Sequence, residues 1–179
     1  MNNKLQNLFD KIEDQKQDVF EMIAELSNEQ INVNPSPGKW SISQIISHLI
    51  VAERLSVNYI QKKIRGVDTV KNSGPVEELK MLVLKISQRI DGLKFKAPKY
   101  VLDNTVVYSD VEELKSEWSK AREDFRQLLE RVEDNHLNKK IYKHAIAGYL
   151  NIQHALMFFQ EHVTHHHPQI RKLIKTLKK

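Results

Sequence analysis

The chain has 179 residues, with 28 Lys+Arg against 23 Asp+Glu and no cysteine. Hydrophobic residues make up 40% of it and charged residues 28%, which is typical of globular proteins. The lack of cysteine excludes disulfide bonds, cysteine-ligated zinc, iron–sulfur clusters and a thiol nucleophile of the chain's own. No apolar run approaches the ~20 residues of a membrane span, and the N-terminus is too polar for a signal peptide. We therefore expect a single cytoplasmic domain over residues 1–179 that does not bind membranes.

The net charge of +5 does not by itself indicate a nucleic-acid-binding protein. Such a protein would carry a basic stripe with interleaved aromatic residues or a groove-reading motif, and the sequence has neither. Much of the basic excess lies at the end of the chain, where it favours the dipole of a final helix. We expect no nucleic-acid partner. The terminal basic residues are Arg171, Lys172, Lys175, Lys178 and Lys179.

Apolar residues recur at helical spacing in four long segments and one shorter segment, separated by clusters of Gly and Pro. The stretch 94–108 has no such spacing and is expected to be irregular or extended. The sequence therefore predicts an all-α fold, a four-helix bundle with a short extra helix. In chain order, the five predicted helices are about 3–26, 41–65, 75–92, 109–132 and 148–177.

The second and third long helices are joined by more than 40 residues, too many for a tight antiparallel hairpin. A long crossover is expected there, with the short helix inside it, so the bundle should not be simple up-down-up-down. The short helix opens with Pro75 in its first turn, where the missing N–H costs little. Its periodic apolar residues are Leu79, Leu82, Val83, Ile86 and Ile90.

Two predicted helix starts have the S-x-x-E/Q spacing of a capping box. Ser41 with Gln44 opens the second long helix, and Ser109 with Glu112 opens the third. In a capping box each side chain satisfies a free backbone N–H of the first turn. Trp40 stands directly before the first box, where an apolar residue packs as a hydrophobic staple.

Two histidines interrupt the apolar face of the last predicted helix. Their spacing of four residues makes them neighbours on one side of the helix, where both rings point towards the core. A buried imidazole must find a partner for its nitrogens or cost about 1–3 kcal/mol. The face consists of Ile152, Ala155, Phe159, His162, His166, Ile170, Leu173 and Leu177.

A third inward imidazole is expected from the second long helix, where His48 lies on the same face as Ile45 and Ala52. Imidazole is the commonest metal ligand in proteins, and three such groups leave room for water or a substrate. His48, His162 and His166 are therefore predicted to bind one divalent metal ion. Hydrogen-bonded core histidines remain the alternative reading of the same pattern. His165 and His167 point away from the apolar face, and His136 lies in a polar turn, so none of these three is predicted as a ligand.

Two sequence blocks resemble the DinB-like (YfiT-like) proteins. The first block is Pro37-Gly38-Lys39-Trp40-Ser41-Ile42, followed by His48-Leu49 and Glu53. The second is His144-x-x-x-Gly148, followed by His162-Val-Thr-His165-His166-His167-Pro168-Gln169-Ile170. These are similar to the family's entry to the second helix and to its "HP..G … H..HH..QI" ending, and the likeness covers nearly the whole chain.

The resemblance implies an up-down-down-up bundle in which three histidines, here His48, His162 and His166, hold a divalent metal. Family members with assigned activities include thiol S-transferases that use bacillithiol or mycothiol, and others are described as metal-dependent hydrolases. Relatives are often dimers, so a homodimer is a further expectation. The chain departs from the family pattern at His154 and at Pro168, which should kink the last helix just after the ligands.

The expected function is that of a metal-dependent thiol S-transferase or hydrolase acting on a small molecule. A thiol such as bacillithiol would come from solution, since the chain has no cysteine. The alternative is a non-catalytic, metal-stabilised protein that binds a small molecule or a partner. Ligand type does not distinguish zinc, nickel and manganese, because imidazole suits all three. No catalytic base follows from the sequence.

Overall fold

Seven α-helices and one two-stranded hairpin form the regular structure in the computed structural model, which describes residues 1–90 and 97–177. None of the described helices combines the length and apolar character needed to cross a bilayer. The helices are α1 Asn3–Ile23, α2 Asn28–Ile31, α3 Ile42–Ile64, α4 Pro75–Arg89, α5 Lys99–Asn104, α6 Val111–Glu130 and α7 Ile152–Leu177. Strands β1 Tyr142–His144 and β2 Gly148–Leu150 form the antiparallel hairpin.

The direction of the four long helices follows from which of their ends share a core. One apolar cluster joins the N-terminal parts of α1 and α7 to the C-terminal parts of α3 and α6. The other cluster joins the C-terminal parts of α1 and α7 to the N-terminal parts of α3 and α6. Helix α1 is therefore parallel to α7, α3 is parallel to α6, and the two pairs are antiparallel. This is an up-down-down-up order along the chain, and the predicted all-α four-helix bundle is confirmed.

The connection between α3 and α6 is the predicted long crossover, and it holds more structure than expected. It contains a 3₁₀ turn at Val67–Thr69, helix α4 and the short helix α5. The prediction of irregular structure over 94–108 is therefore wrong at Lys99–Asn104, where Val101 packs into the interior. Residues 91–96, which include the predicted helix end at Gly92, lie outside the described residues.

One of the two predicted capping boxes forms. Ser41 and Gln44 cap each other's backbone at the start of α3, as predicted. The predicted box of Ser109 with Glu112 is wrong, because Asp110 caps α6 instead. The Asp110 carboxylate accepts hydrogen bonds from the N–H groups of Glu112 and of the following residue, at 2.8 and 3.1 Å. A carboxylate at this position also interacts favourably with the helix dipole, which a serine hydroxyl does not.

The last helix begins later than predicted, because Gly148 belongs to strand β2. Gly148 has a φ of +76°, a conformation that glycine adopts without strain and other residues rarely adopt. Helix α7 then starts at Ile152, where the Asn151 side chain accepts a hydrogen bond from the His154 N–H at 2.9 Å.

Helix α4 is turned so that most of its apolar residues face outwards. Its buried positions are Glu77, Met81, Leu84 and Gln88, whereas the periodic apolar residues that predicted the helix are exposed. We call this exposed surface the α4 apolar face. It consists of six side chains, each more than half exposed: Val76, Leu79, Leu82, Val83, Ile86 and Ile90.

Polar contacts fix the inner side of α4 to α7. Arg89 donates two hydrogen bonds to the buried Glu161 carboxylate, at 2.6 and 2.8 Å. Near the other end of the helix, Glu78 lies 3.0 Å from Nε2 of the buried His154. Charge-assisted contacts of this kind are geometrically specific, so they hold α4 in the orientation that exposes its apolar residues.

A buried ion pair joins α3 to α6 in the middle of the bundle. Arg122 donates two hydrogen bonds to the Glu53 carboxylate, at 2.6 and 2.7 Å, and both residues are at most 2% exposed. The Trp118 indole N–H donates a third hydrogen bond to the same carboxylate at 3.0 Å. Since both charges are desolvated, the removal of the Glu53 charge leaves Arg122, among the described residues, with only the partly exposed Glu13 carboxylate, 3.3 Å from its Nη1.

We expect Glu53→Gln to lower the free energy of unfolding by up to about 3–5 kcal/mol, because the buried Arg122 charge keeps only its 3.3 Å contact with Glu13 within the part of the chain that the structure describes. The measurement is urea unfolding followed by circular dichroism. A matched control is Arg126→Met, which removes an arginine from exposed ion pairs on α6, the helix that also carries Arg122. This variant should leave the urea midpoint close to that of the wild type. Equal midpoints for Glu53→Gln and the wild type would contradict the structural role of the pair.

Candidate metal centre

The three histidines predicted as ligands lie together in the interior, between α3 and α7. His48 comes from α3, and His162 and His166 come from successive turns of α7. One ring nitrogen of each lies within 4.8 Å of one ring nitrogen of both others. The Nε2 atoms of His48 and His162 are 3.1 Å apart, and each of the three residues is at most 9% exposed. The structure therefore brings together all three residues that the sequence singled out.

Helix geometry explains this convergence. His162 and His166 are four residues apart, so they share one side of α7, and that side packs against α3. Helices α3 and α7 are antiparallel neighbours, and the N-terminal half of α3, which carries His48, lies beside the middle of α7. The capping box at Ser41 fixes the start of α3, and burial of the neighbouring Ile45 and Leu49 turns the face with His48 inwards.

The three imidazoles are neutral at pH 7, as metal ligands must be. Burial, followed by repulsion from His165, lowers the pKa of His48 to about 4. Burial, followed by repulsion from His48, lowers the pKa of His166 to about 3, although the hydrogen bond to Gln169 acts to raise this pKa. Burial and the neighbouring imidazoles, His166 first, hold the pKa of His162 well below its ordinary value.

The spacing of the nitrogen atoms suits a shared ion. Two imidazole nitrogens that each lie 2.0–2.1 Å from one ion are roughly 2.8–3.4 Å apart at coordination angles of roughly 90–110°. The distance of 3.1 Å between the Nε2 atoms of His48 and His162 falls in this range. Among the described residues the buried Nδ1 atoms of both rings have no hydrogen-bond partner, so these rings gain little from the protein alone. The residues present fit a divalent metal ion.

Gln169 orients the third imidazole. Its side-chain oxygen lies 3.0 Å from Nδ1 of His166 and accepts a hydrogen bond from it. This contact places the proton of the neutral ring on Nδ1 and leaves the lone pair of Nε2 for an ion. Gln169 occurs in the second of the two family-like blocks, but the sequence alone gave it no role.

Two aromatic side chains line the cluster. The Trp40 ring lies 5.1 Å from the ring of His48, and the Phe158 ring stacks on His162 at 5.1 Å with an interplanar angle of 19°. The sequence predicted Trp40 only as a staple and did not single out Phe158. Phe158 could have been predicted from its position four residues before His162, because residues at this spacing are neighbours on one side of a helix.

The two histidines that flank the cluster do not belong to it, in agreement with the sequence. His165 turns to α4, where its Nδ1 donates a hydrogen bond to the Gln88 carbonyl oxygen at 2.9 Å. His167 is partly buried outside the three-histidine group, and burial lowers its pKa. Two of the four histidines in this short stretch of α7 therefore belong to the cluster.

Of the other positions discussed from the sequence, none belongs to the three-histidine group found among the described residues. His154 is buried against α4 and pairs with Glu78, so it is not part of the cluster. Pro168 stands inside a helix that continues to its predicted end, and the kink expected there stays a prediction. His136 ends a 3₁₀ turn and lies 3.1 Å from Asp68, far along the chain from the cluster.

No carboxylate of the described residues joins the three histidines. The two buried carboxylates that are nearest to them in sequence are committed elsewhere. Glu53 pairs with Arg122 on α6, and Glu161 pairs with Arg89 on α4. The cluster is therefore formed by neutral nitrogen ligands only, and it provides no carboxylate base.

The lowered pKa values predict acid sensitivity of the protein when a chelator has removed any metal. In the unfolded chain the three imidazoles take up protons near pH 6.5, but in the folded protein the pKa is about 4 for His48, about 3 for His166 and well below its ordinary value for His162. The unfolded state then binds more protons, so stability is complete above pH 6.5 and is lost as the pH falls towards 4.

Urea unfolding at successive pH values measures this effect. Near pH 5 we expect the three imidazoles of the cluster to take up about three protons when the protein unfolds. His166→Phe should reduce this number by about one. Stability that stays constant from pH 7 to pH 5 would show that the imidazoles are not held neutral.

Comparison with known proteins agrees with the geometry. A family model described as the DinB superfamily matches residues 11–170. The chain is also similar to the uncharacterized protein YuaE of Bacillus subtilis (strain 168), with 20% identity over 148 residues, 83% of this chain and 85% of that protein. The family match covers most of the chain and includes His48, His162 and His166. The chain therefore belongs to the DinB superfamily.

Proposed function

We propose that this protein binds one divalent metal ion through His48, His162 and His166 and uses it to catalyse thiol S-transfer to, or hydrolysis of, a small molecule. The observation that carries the proposal is the meeting of three buried, neutral imidazoles, two of them with Nε2 atoms 3.1 Å apart. Three protein ligands leave a coordination position open, which is typical of catalytic rather than structural sites.

The bound ion would favour the deprotonated form of an adjacent water or thiol and so supply a nucleophile at neutral pH. The chain's own residues would bind the ion and limit its contact with water. His48, His162 and His166 provide the ligand atoms, while the rings of Trp40 and Phe158 cover two of them and limit the access of water.

A thiol substrate would have to come from solution, because the chain has no cysteine. A low-molecular-weight thiol such as bacillithiol fits this requirement, and a protein that uses it would work in the cytoplasm, where thiols stay reduced. Zinc, nickel and manganese all suit imidazole ligands, so the ion is identified by measurement rather than by ligand type.

A non-catalytic role is the alternative, in which the ion only stabilises the fold or a binding surface. The two functions make different demands on the coordination sphere. A catalytic ion exchanges its open position with small ligands, whereas a structural ion is closed by a fourth protein ligand. Only the three histidines form such a group among the described residues, which favours the catalytic proposal.

The first test is the metal content of the protein purified without a His tag and without added metal. We expect about one ion per chain in the wild type and a loss of at least ~10-fold in affinity for His162→Ala. His167→Ala is the matched control, because it removes an imidazole of the same helix that lies outside the cluster. Metal-free wild type that also fails to bind added Zn²⁺, Ni²⁺ or Mn²⁺ would contradict the proposal.

The second part of the test is turnover. Protein reloaded with each ion is assayed for conjugation of a thiol to an electrophile and for hydrolysis of an ester and amide panel. We expect metal-dependent turnover in the wild type and in His167→Ala but not in His162→Ala. Metal-loaded protein without any turnover, whose fold melts when the ion is chelated, would instead support the structural role.

We also propose a homodimer that forms through the α4 apolar face. The residues Val76, Leu79, Val83, Ile86 and Ile90 are spaced 3, 4, 3 and 4 apart, which is the pattern of a coiled-coil contact. A second copy would present the same face across a two-fold axis. Burial of both faces would remove on the order of 1,000 Å² from water, about what a specific interface needs. Since polar contacts fix the inner side of α4, the helix cannot rotate to bury this face itself.

We expect Val83→Glu to convert the dimer to a monomer, because it places a charge in the centre of the apolar contact. Analytical ultracentrifugation over a range of concentrations measures the change. Val33→Glu is the matched control, since Val33 is similarly exposed but lies outside α4. A wild-type protein that is monomeric at high micromolar concentration would rule out the dimer.

A further inference from the structure

His144 is a buried imidazole near the three-histidine cluster that has no role so far. It ends strand β1 and is 8% exposed. Its Nδ1 accepts hydrogen bonds from the backbone N–H groups of Ile146 and Ala147, at 3.2 and 3.1 Å. Backbone N–H groups can only donate, so Nδ1 must be unprotonated.

These two hydrogen bonds determine which nitrogen of His144 carries the proton. With Nδ1 acting as an acceptor, the neutral ring has its proton on Nε2 and presents an N–H donor there. Burial lowers the pKa of His144 to about 4, so the ring remains neutral at pH 7. In the described part of the chain, Nε2 has no hydrogen-bond partner, and it is not among the fully buried unpaired atoms.

The His144 ring lies close to the cluster. It packs edge-on against Phe158, with 4.4 Å between ring centroids, and Phe158 in turn stacks on His162. His144 and His162 therefore both contact the same Phe158 ring. The turn at Ile146 and Ala147 occupies the Nδ1 edge of the ring, so the Nε2 edge points away from that turn.

We propose that the Nε2–H group of His144 donates a hydrogen bond to an anionic oxygen of the ligand bound at the three-histidine site. This inference rests on the proposed function, since it assumes an ion with an open position. It also narrows the substrate class to molecules that present a carbonyl or carboxylate oxygen there. A preorganised N–H donor in a site sheltered from water stabilises negative charge on such an oxygen.

Two variants separate this role from the structural role of the ring in the hairpin turn. In His144→Asn the side-chain oxygen can replace Nδ1 as the acceptor of the turn, but no donor reaches the position of Nε2. In His144→Gln the amide N–H reaches about as far as Nε2, whereas the acceptor of the turn is displaced. If His144 contacts the ligand, His144→Gln, which keeps the donor, should bind the ligand like the wild type, and His144→Asn should bind it more weakly. If the ring only supports the turn, His144→Asn, which keeps the acceptor, should behave like the wild type.

The probe is acetohydroxamate, a small anionic oxygen ligand, added to Co²⁺-loaded protein. Visible absorption of Co²⁺ reports both the binding of the ion and the change of its coordination by the hydroxamate. For His144→Asn we expect acetohydroxamate to bind about 10- to 100-fold more weakly, as for the loss of a hydrogen bond to a charged group. His144→Gln should bind it within about 5-fold of the wild type, and all three proteins should bind Co²⁺ with affinities within about 3-fold.

Other outcomes would overturn the inference. Equal acetohydroxamate affinity of His144→Asn and the wild type would show that His144 only supports the turn, as would an equal loss in both variants. Wild type that binds Co²⁺ but does not respond to acetohydroxamate would remove the inference and leave the metal site intact. Wild type that binds no Co²⁺ would remove the proposed function itself, and the inference with it.

Discussion

The approach of two uncharged imidazole nitrogens in an apolar interior is the constraint around which the bundle is arranged. The Nε2 atoms of His48 and His162 are 3.1 Å apart, close enough that two lone pairs would repel each other unless a proton or an ion lies between them. Without an ion, one neutral ring can donate its own Nε2–H to the other, and this hydrogen bond uses the lone pair of only one of the two nitrogens. A cation would use the lone pairs of both nitrogens at this distance, and His166 offers a third nitrogen within reach of both.

The rest of the bundle holds the two ligand-bearing helices at this distance. Helix α3 is fixed by the Glu53–Arg122 ion pair to α6, five residues after His48. Helix α7 is fixed on another side by the contacts of Glu161 with α4, one residue before His162. Buried ion pairs add little net stability, but they are geometrically specific and resist sliding of one helix along another. Their position next to the ligands suits a role in preserving the spacing of the cluster.

Helical periodicity was sufficient to predict that the three histidines meet in the interior. The apolar spacing along α7 placed His162 and His166 inwards, and the capping box at Ser41 fixed the start of the helix that carries His48. These are properties of a single helix and its first turn, and local sequence determines them. The crossover between α3 and α6 was also predictable, because the length of the connection excludes a short hairpin.

Features that depend on neighbouring elements could not be read from the sequence. The apolar spacing of α4 predicted a helix correctly, but its orientation is set by the contacts of Arg89 and Glu78 with α7. The rival caps Ser109 and Asp110 differ by one residue, and only the observed backbone shows which side chain reaches the free N–H groups. The approach of Trp40 and Phe158 to the cluster likewise depends on the packing of α3 against α7.

The three histidines and the side chains that surround them lie in different kinds of structural element. His48, His162 and His166 belong to long helices of the bundle, whereas Trp40 precedes α3 and His144 belongs to the β hairpin. Loops and hairpins accept substitutions and insertions more readily than packed helices do. Under the proposed function, changes in these connections would alter which small molecules bind, while the three histidines and the helices that carry them stay the same.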